Sequence, residues 1–373
     1  MTRNFSASLW LVLLAGVFGP ANHVHGQERM KVIIDQDARG PATTDLQSVL
    51  VLIQSPRTDV LGITIVSGDQ WRDEEVAHTL RLLEIIDRTD IPVVPGAVFP
   101  LINGKEEIAR WEKLHGKVAY KGAWNERNEF IKRDYTDPFV VPDLPEGKPA
   151  AKPASDDAAH FLIRMVRQYP HQVTVYAGGP LTNLALAISI DHEFASLARE
   201  LVVMGSSINP QVAGMERGDY FGIAPRREFN FWWDPEATRI TLRASWPKIT
   251  VTPVDISIKT RMTKAMVDDI AKSGSPAAQY VAKYSNAMYG EELMWDEVAA
   301  AAWLDPAIIT KQRPLFMDMN IDHGAGYGDT LTWLPGTEPG LGEQKVIVNE
   351  DLDLNRFNRL MVELLSAPTP KRP

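Results

Sequence analysis

Apolar runs that stop at glycine, serine or aspartate recur along this chain. Residues 32–34 lead into an acidic loop carrying Asp35, Asp37 and Asp45, and a second apolar run, 49–53, follows the loop. Residues 59–66 are apolar and β-branched and end at Ser67, Gly68 and Asp69. Across 73–86 the apolar positions Val76, Leu80, Leu83 and Ile86 stand among charges, a helical spacing. A short strand is predicted at 91–94, closed by Pro95 and Gly96. Further strands are predicted at 172–177, 201–204 and 249–254. The first of these ends at Gly178-Gly179-Pro180 and the second at Gly205-Ser206, with a helix over 181–190 between them. Strand and helix in alternation make βαβ units and a parallel sheet, an α/β fold. In an open sheet of that kind the carboxyl ends of the strands share one edge, and loops there build the ligand site.

The remaining pattern is less regular. Residues 99–153 are polar and rich in Lys, Glu, Asn and Pro, which predicts an irregular lid or a disordered insert. Ser155 followed by Asp156 and Asp157 marks a helix start, with the helix running to residue 168. A second irregular stretch, 209–227, opens onto Glu228 and Asn230 set among Phe229, Phe231, Trp232 and Trp233. Two hydrogen-bonding groups in an aromatic cluster suit a ligand with hydroxyls and a flat ring. They equally suit a capped polar pair in an aromatic core. Helices are predicted at 263–271 and 277–289, and Trp295 and Asp296 open an alanine-rich helix, where an aspartate also serves as a plain cap. A strand at 345–348 and a helix at 354–365 precede a proline-rich, disordered tail, 367–373. No linker divides the chain, so residues 27–366 read as one domain.

Composition narrows the choices. At 45% hydrophobic and 23% charged the chain is ordinary globular protein. A net charge of −9 without a basic face makes nucleic acid an unsuitable partner. Arg3, the apolar run 9–18, and Val24 and Gly26 before Gln27 read as a signal peptide over residues 1–26. That predicts a secreted or periplasmic protein, with no membrane attachment after cleavage. The chain has no cysteine, which removes disulfides, thiolate metal sites and cysteine nucleophiles.

The acidic loop after residue 34 reads either as a solvated turn or as a cation site. Asp37, Asp45 and Asp296 could meet at one sheet edge, and a cluster offering only oxygen selects calcium or magnesium over zinc. The chain carries no GxSxG, P-loop or HExxH motif.

Together these segments resemble the inosine-uridine preferring nucleoside hydrolases over nearly the whole mature chain. The likeness rests on the loop at 35–45, ITIVSGD at 63–69, GGPLTNLALA at 178–187, VVMG at 202–205 and EFNFWWDPEA at 228–237. It implies a Rossmann-like fold, an open and mostly parallel sheet with helices on both faces, and calcium (Ca2+) at the sheet edge. It implies hydrolysis of the N-glycosidic bond of ribonucleosides by a metal-activated water. On this resemblance Asp37, Asp45 and Asp296, with a main-chain carbonyl at Gly178, are the metal ligands, and Asp37 is also the catalytic base. Glu228 and Asn230 match the ribose-binding pair. Asp69, Trp295 and His115 are further substrate-binding candidates. The partner is then a small-molecule nucleoside or riboside, and a homo-oligomer is compatible with the reading.

The chain also departs from the family pattern. Its loop is about three residues longer, Thr44 replaces the first aspartate of the family's pair, Asp69 replaces an asparagine, and Trp295 replaces a histidine. An added charge at Asp69 is expected to disfavour phosphorylated substrates. Two alternatives follow from the departures: a hydrolase of a different, modified riboside, and a catalytically inactive calcium-stabilised ligand-binding protein.

Overall fold

The computed structural model describes residues 1, 29–118, 120–124, 137–210, 226–288 and 293–371. Residues 2–26 of the predicted leader and residues 211–225 of the second irregular stretch lie outside them.

Nine strands form one sheet among the described residues: β1 (Met30–Gln36), β2 (Thr58–Ile65), β3 (Val93–Pro95), β4 (Val173–Ala177), β5 (Glu200–Met204), β6 (Ile249–Thr252), β7 (Ile309–Met319), β8 (Thr330–Trp333) and β9 (Gln344–Leu352). Their spatial order is β3-β2-β1-β4-β5-β6-β9-β7-β8. The strands from β3 to β9 in that order pair in parallel, and β7 runs antiparallel to β9 and β8. The helices that position the site are α1 (Thr44–Gln54), α2 (Arg72–Ile85), α3 (Lys105–His115), α4 (Ala158–Gln168), α5 (Thr182–Ile190), α6 (Phe194–Leu197), α7 (Phe229–Trp233), α8 (Pro235–Arg243), α9 (Val254–Ser257), α10 (Lys264–Ala271), α11 (Pro276–Met288), α12 (Trp295–Leu304) and α13 (Leu354–Ser366).

Helices cover both faces of the sheet, as the periodicity implies. Val32 and Ile34 of β1 face a core shared with α1, α2, α12 and α13. Ile33, between them, faces the opposite core with α4, α5 and α8. A parallel strand covered on both faces is apolar at consecutive positions, which is why these strands read as unbroken runs. The chain passes from β1 outward to β2 and β3, then returns to place β4 on the other side of β1. Loops after β1 and β4 therefore diverge, and a crevice opens at their carboxyl ends.

Two expectations are corrected, and one element is added. Residues 99–153 are not irregular throughout: they contain α3 and a turn of 3-10 helix at Gly122–Trp124. The helix start near residue 155 is capped by Asp157, whose carboxylate accepts from the His160 N–H. The hairpin β7–β8 was not foreseen, and β7 begins with exposed, polar residues that look like loop.

Candidate active site

β1 delivers two aspartates to the crevice. Asp35 is fully buried and accepts hydrogen bonds from Thr64 Oγ1 at 2.5 Å and Asn183 Nδ2 at 2.8 Å. Burial pushes its carboxyl up to about 7, against the pull of those donors. Asp35 thus fastens β1 to β2 and α5. Asp37 stands two residues on, beyond the end of the strand. Its Oδ2 accepts from the Asp69 N–H at 2.9 Å, while its buried Oδ1 has no hydrogen-bond partner. Glycine is required on both sides of this carboxylate. A Cβ at Gly68 would lie 2.1 Å from Oδ2, and one at Gly179 would lie 2.7 Å from Oδ1.

The loop then turns through a cis Gly40–Pro41 bond and a left-handed Ala42, whose N–H donates to the Tyr280 hydroxyl at 2.9 Å. Gly40 lies against the ring of His78, which is buried between Glu146 and Glu74 and held toward its charged form by them. Glu146 belongs to residues 99–153, so the insert is fastened behind the loop. Asp45 sits in the first turn of α1 and accepts from Thr43 Oγ1 at 2.8 Å. Asp296 sits in the first turn of α12, where its Oδ2 accepts from Gln36 Nε2 at 2.8 Å.

The structure brings Asp37, Asp45, Asp69, Asp296 and Glu75 into one electrostatic neighbourhood. Burial first, then Asp45, Asp69, Glu75 and Asp296, holds the Asp37 carboxyl well above the usual range. Burial and the charge of Asp69 push Asp45 up to about 7. Burial, then the charge of Asp45, raises Asp296 well above the usual carboxylate range.

The donor chemistry fits a hard cation. The donors are oxygen atoms, the carboxylates repel one another, and Asp37 Oδ1 is buried without a partner. The ligands are gathered but not closed into a shell: among the described residues no three acidic or histidine side chains stand together so as to hold a metal ion. Gln36 occupies part of the acceptor capacity of Asp296, and the Arg39 guanidinium forms a long ion pair with Asp45, its Nε 4.0 Å from Oδ2.

The other predicted residues divide. The Gly178 carbonyl accepts from Asn230 Nδ2 at 2.6 Å, which joins the loop after β4 to α7. Glu228 caps α7 and accepts from the N–H groups of Ser206, Asn230 and Phe231, and burial pushes its carboxyl up to about 7. Trp295 is partly buried, packed against the apolar cluster that also contains α1 and α12. His115 is not brought to the cluster by any described contact. It is exposed at the end of α3, with its ring 5.1 Å from that of Trp111. The Asp69 carboxylate is not a bare added charge, because Arg39 Nη1 lies 3.1 Å from its Oδ2 and the Tyr120 hydroxyl donates to its Oδ1 at 2.9 Å. Arg39 and Tyr120 thus offset part of the charge on which the expected repulsion of phosphorylated substrates rests.

Sequence reasoning missed Gln36, Arg39 and Tyr120. Arg39 could have been noticed as the single cation between Asp37 and Asp45. Tyr120 carried no signal, since nothing local distinguishes one tyrosine in a polar segment.

Comparison with known proteins follows the same lines. The family model of the inosine-uridine preferring nucleoside hydrolases matches residues 32–359. The probable uridine nucleosidase 2 of Arabidopsis thaliana is 32% identical over 76% of this chain and 77% of its own length. The pyrimidine-specific ribonucleoside hydrolase RihA of Photobacterium profundum is 29% identical over 68% of this chain and 69% of its own. An uncharacterised protein of Schizosaccharomyces pombe, C800.11, is 27% identical over 90% of this chain and 85% of its own. Among solved structures, the plant nucleoside hydrolase PpNRh1 superposes with a TM-score of 0.71 over 91% of this chain and 99% of that one. At 24% identity that likeness shows a shared fold.

Proposed function

Since the chain belongs to the inosine-uridine preferring nucleoside hydrolase family, we propose that it hydrolyses the N-glycosidic bond of ribonucleosides with calcium as its cofactor. The observation that carries the proposal is Asp37: a buried carboxylate at the carboxyl end of β1 with one oxygen held by the Asp69 N–H and the other unpartnered. Asp37, Asp45 and Asp296, with the Gly178 carbonyl, would hold the calcium. When bound there, the ion supplies Lewis-acid activation of a water. Asp37 Oδ1, buried and unpartnered, would take a proton from the attacking water as its oxygen bonds to the anomeric carbon and the C–N bond breaks, the base leaving with that bond's electrons and taking up a proton from solvent. The positive charge that develops on the sugar falls among Asp37, Asp45, Asp69 and Asp296, which favour it in a site shielded from solvent. Glu228, beyond its three N–H bonds, keeps lone-pair capacity for a sugar hydroxyl, and Asn230 braces the Gly178 carbonyl.

Ribose release from uridine, inosine and the other ribonucleosides, followed by chromatography with calcium present, tests this directly. Asp37→Ala should lower kcat by at least roughly a thousandfold while the far-ultraviolet spectrum stays that of the wild type. No ribose from any ribonucleoside would sink the proposal and leave the modified-riboside and ligand-binding readings.

Export and self-association belong to the same proposal. Residues 1–26 would be removed and the mature protein would begin at Gln27, in the periplasm or outside the cell. The rings of Phe99 and Phe139, 6.5 Å apart and each more than half exposed, support association into a homo-oligomer.

A further inference from the structure

Among the described residues of the insert that the sequence marks as a lid, Tyr120 reaches the carboxylate of Asp69. The Tyr120 hydroxyl donates to Asp69 Oδ1 at 2.9 Å and accepts from Arg39 Nη1 at 3.1 Å. Arg39 Nη1 lies 3.1 Å from Asp69 Oδ2, so each oxygen of that carboxylate has its own partner. The main chain of Asp69 is the donor to Asp37 Oδ2, at 2.9 Å. The aromatic ring of Tyr120 meets Phe229 edge-on at 5.0 Å, and Phe229 is the residue between Glu228 and Asn230. Three residues further on, the Ala123 N–H donates to the Gly68 carbonyl at 2.8 Å. Gly122 makes that approach feasible: its φ is +52°, and a Cβ there would lie 2.2 Å from the Gly68 oxygen.

From this geometry we infer that Tyr120 is a positioning residue, which with Arg39 latches the insert onto the loop after β2 and sets the orientation in which Asp69 meets the substrate. The inference rests on the proposed hydrolase reading, with Asp69 as a ground-state contact to the sugar. A group that only orients such a contact acts on binding more than on chemistry. Two links join the insert to the loop after β2, from Tyr120 to Asp69 and from Ala123 to Gly68, and the Tyr120 ring packs separately on Phe229 of α7. Loss of the hydroxyl removes the first link and the bond from Arg39, and leaves the other two contacts.

Tyr120→Phe keeps the ring on Phe229 and removes that hydroxyl. For the ribonucleoside that the wild type cleaves, KM should rise about tenfold while kcat stays within about threefold. Asp69→Ala should raise KM at least as much, and the double variant should be no worse than Asp69→Ala, because both changes act through one carboxylate. Hydrogen exchange at the Ala123 amide should be faster in Tyr120→Phe than in the wild type. An unchanged KM, additive effects in the double variant, or a parallel loss of kcat with a lowered Tm would each overturn the inference. If the wild type cleaves no ribonucleoside, the hydrolase reading falls by itself and exchange decides the latch. Faster exchange at Ala123 in Tyr120→Phe then supports it, and unchanged exchange overturns it.

Discussion

Thr44 stands where the family pattern has an aspartate, and its hydroxyl does a different job. It accepts from the N–H groups of Trp295 at 3.0 Å and Asp296 at 3.1 Å and donates to Glu297 Oε2 at 2.5 Å. Those N–H groups open α12 and have no partner within the helix, so Thr44 of α1 caps a neighbour rather than its own helix. Thr44→Val should cost about 1–3 kcal/mol in urea unfolding, the range for stranding buried polar groups. Thr44→Asp should also destabilise, because it sets a second carboxylate against Glu297. A gain in stability or activity from Thr44→Asp would contradict this account. Glu228 yields a prediction of pH dependence. Its carboxyl, ordinarily near 4.5, is pushed up to about 7 by burial, so between those values the folded chain holds a proton that the unfolded chain has released. Stability contributed by this group is complete below about 4.5 and is lost as pH rises through about 7. Asp35, pushed up to about 7, acts with the same sign. In the metal-free protein the urea midpoint should fall between about pH 5 and about pH 8, and Glu228→Gln should make that fall smaller.

At the scale of elements, the insert and the hairpin show where pattern reading stops. Parallel strands were legible because both their faces are buried and their residues are apolar without interruption. β7 was not, because Lys311, Gln312, Arg313 and Pro314 are exposed, and its apolar half begins only at Leu315. α3 was not, because only Ile108 and Glu112 of its eleven residues are buried, too narrow an apolar stripe to stand out. The docking of the insert depends on Gly122. Gly122→Ala should weaken it through a left-handed backbone and a clash with the Gly68 carbonyl, at a cost of about 1–3 kcal/mol. Limited proteolysis should then cut near residues 118–124 faster than in the wild type, and an unchanged digestion pattern would count against a docked insert.

At the scale of the whole molecule, the buried carboxylates make folding and cation binding interdependent. Calcium at about a hundredfold its Kd should stabilise the fold by about 2.7 kcal/mol, and EDTA should remove that gain. For a chain of this size the Tm should move by roughly 3–5 °C, read by calorimetry. Identical melting with calcium and with EDTA would argue against the cation site.

Local pattern was enough to establish the α/β layering, the strand ends that converge on one edge, and the aspartates carried there. These are consequences of local periodicity and of where apolar runs stop, and both are written in neighbouring residues. How those aspartates are compensated emerges from the folded arrangement alone. Gln36 reaches Asp296 across 260 positions, and Arg39 reaches Tyr120 across 81. A buried carboxylate needs a donor at hydrogen-bond distance, and the chain supplies it from whichever element the fold happens to bring near. No spacing in the sequence records such a partner. The site's charge was therefore readable before its balance, and the role of the insert only once Tyr120 was seen against Asp69.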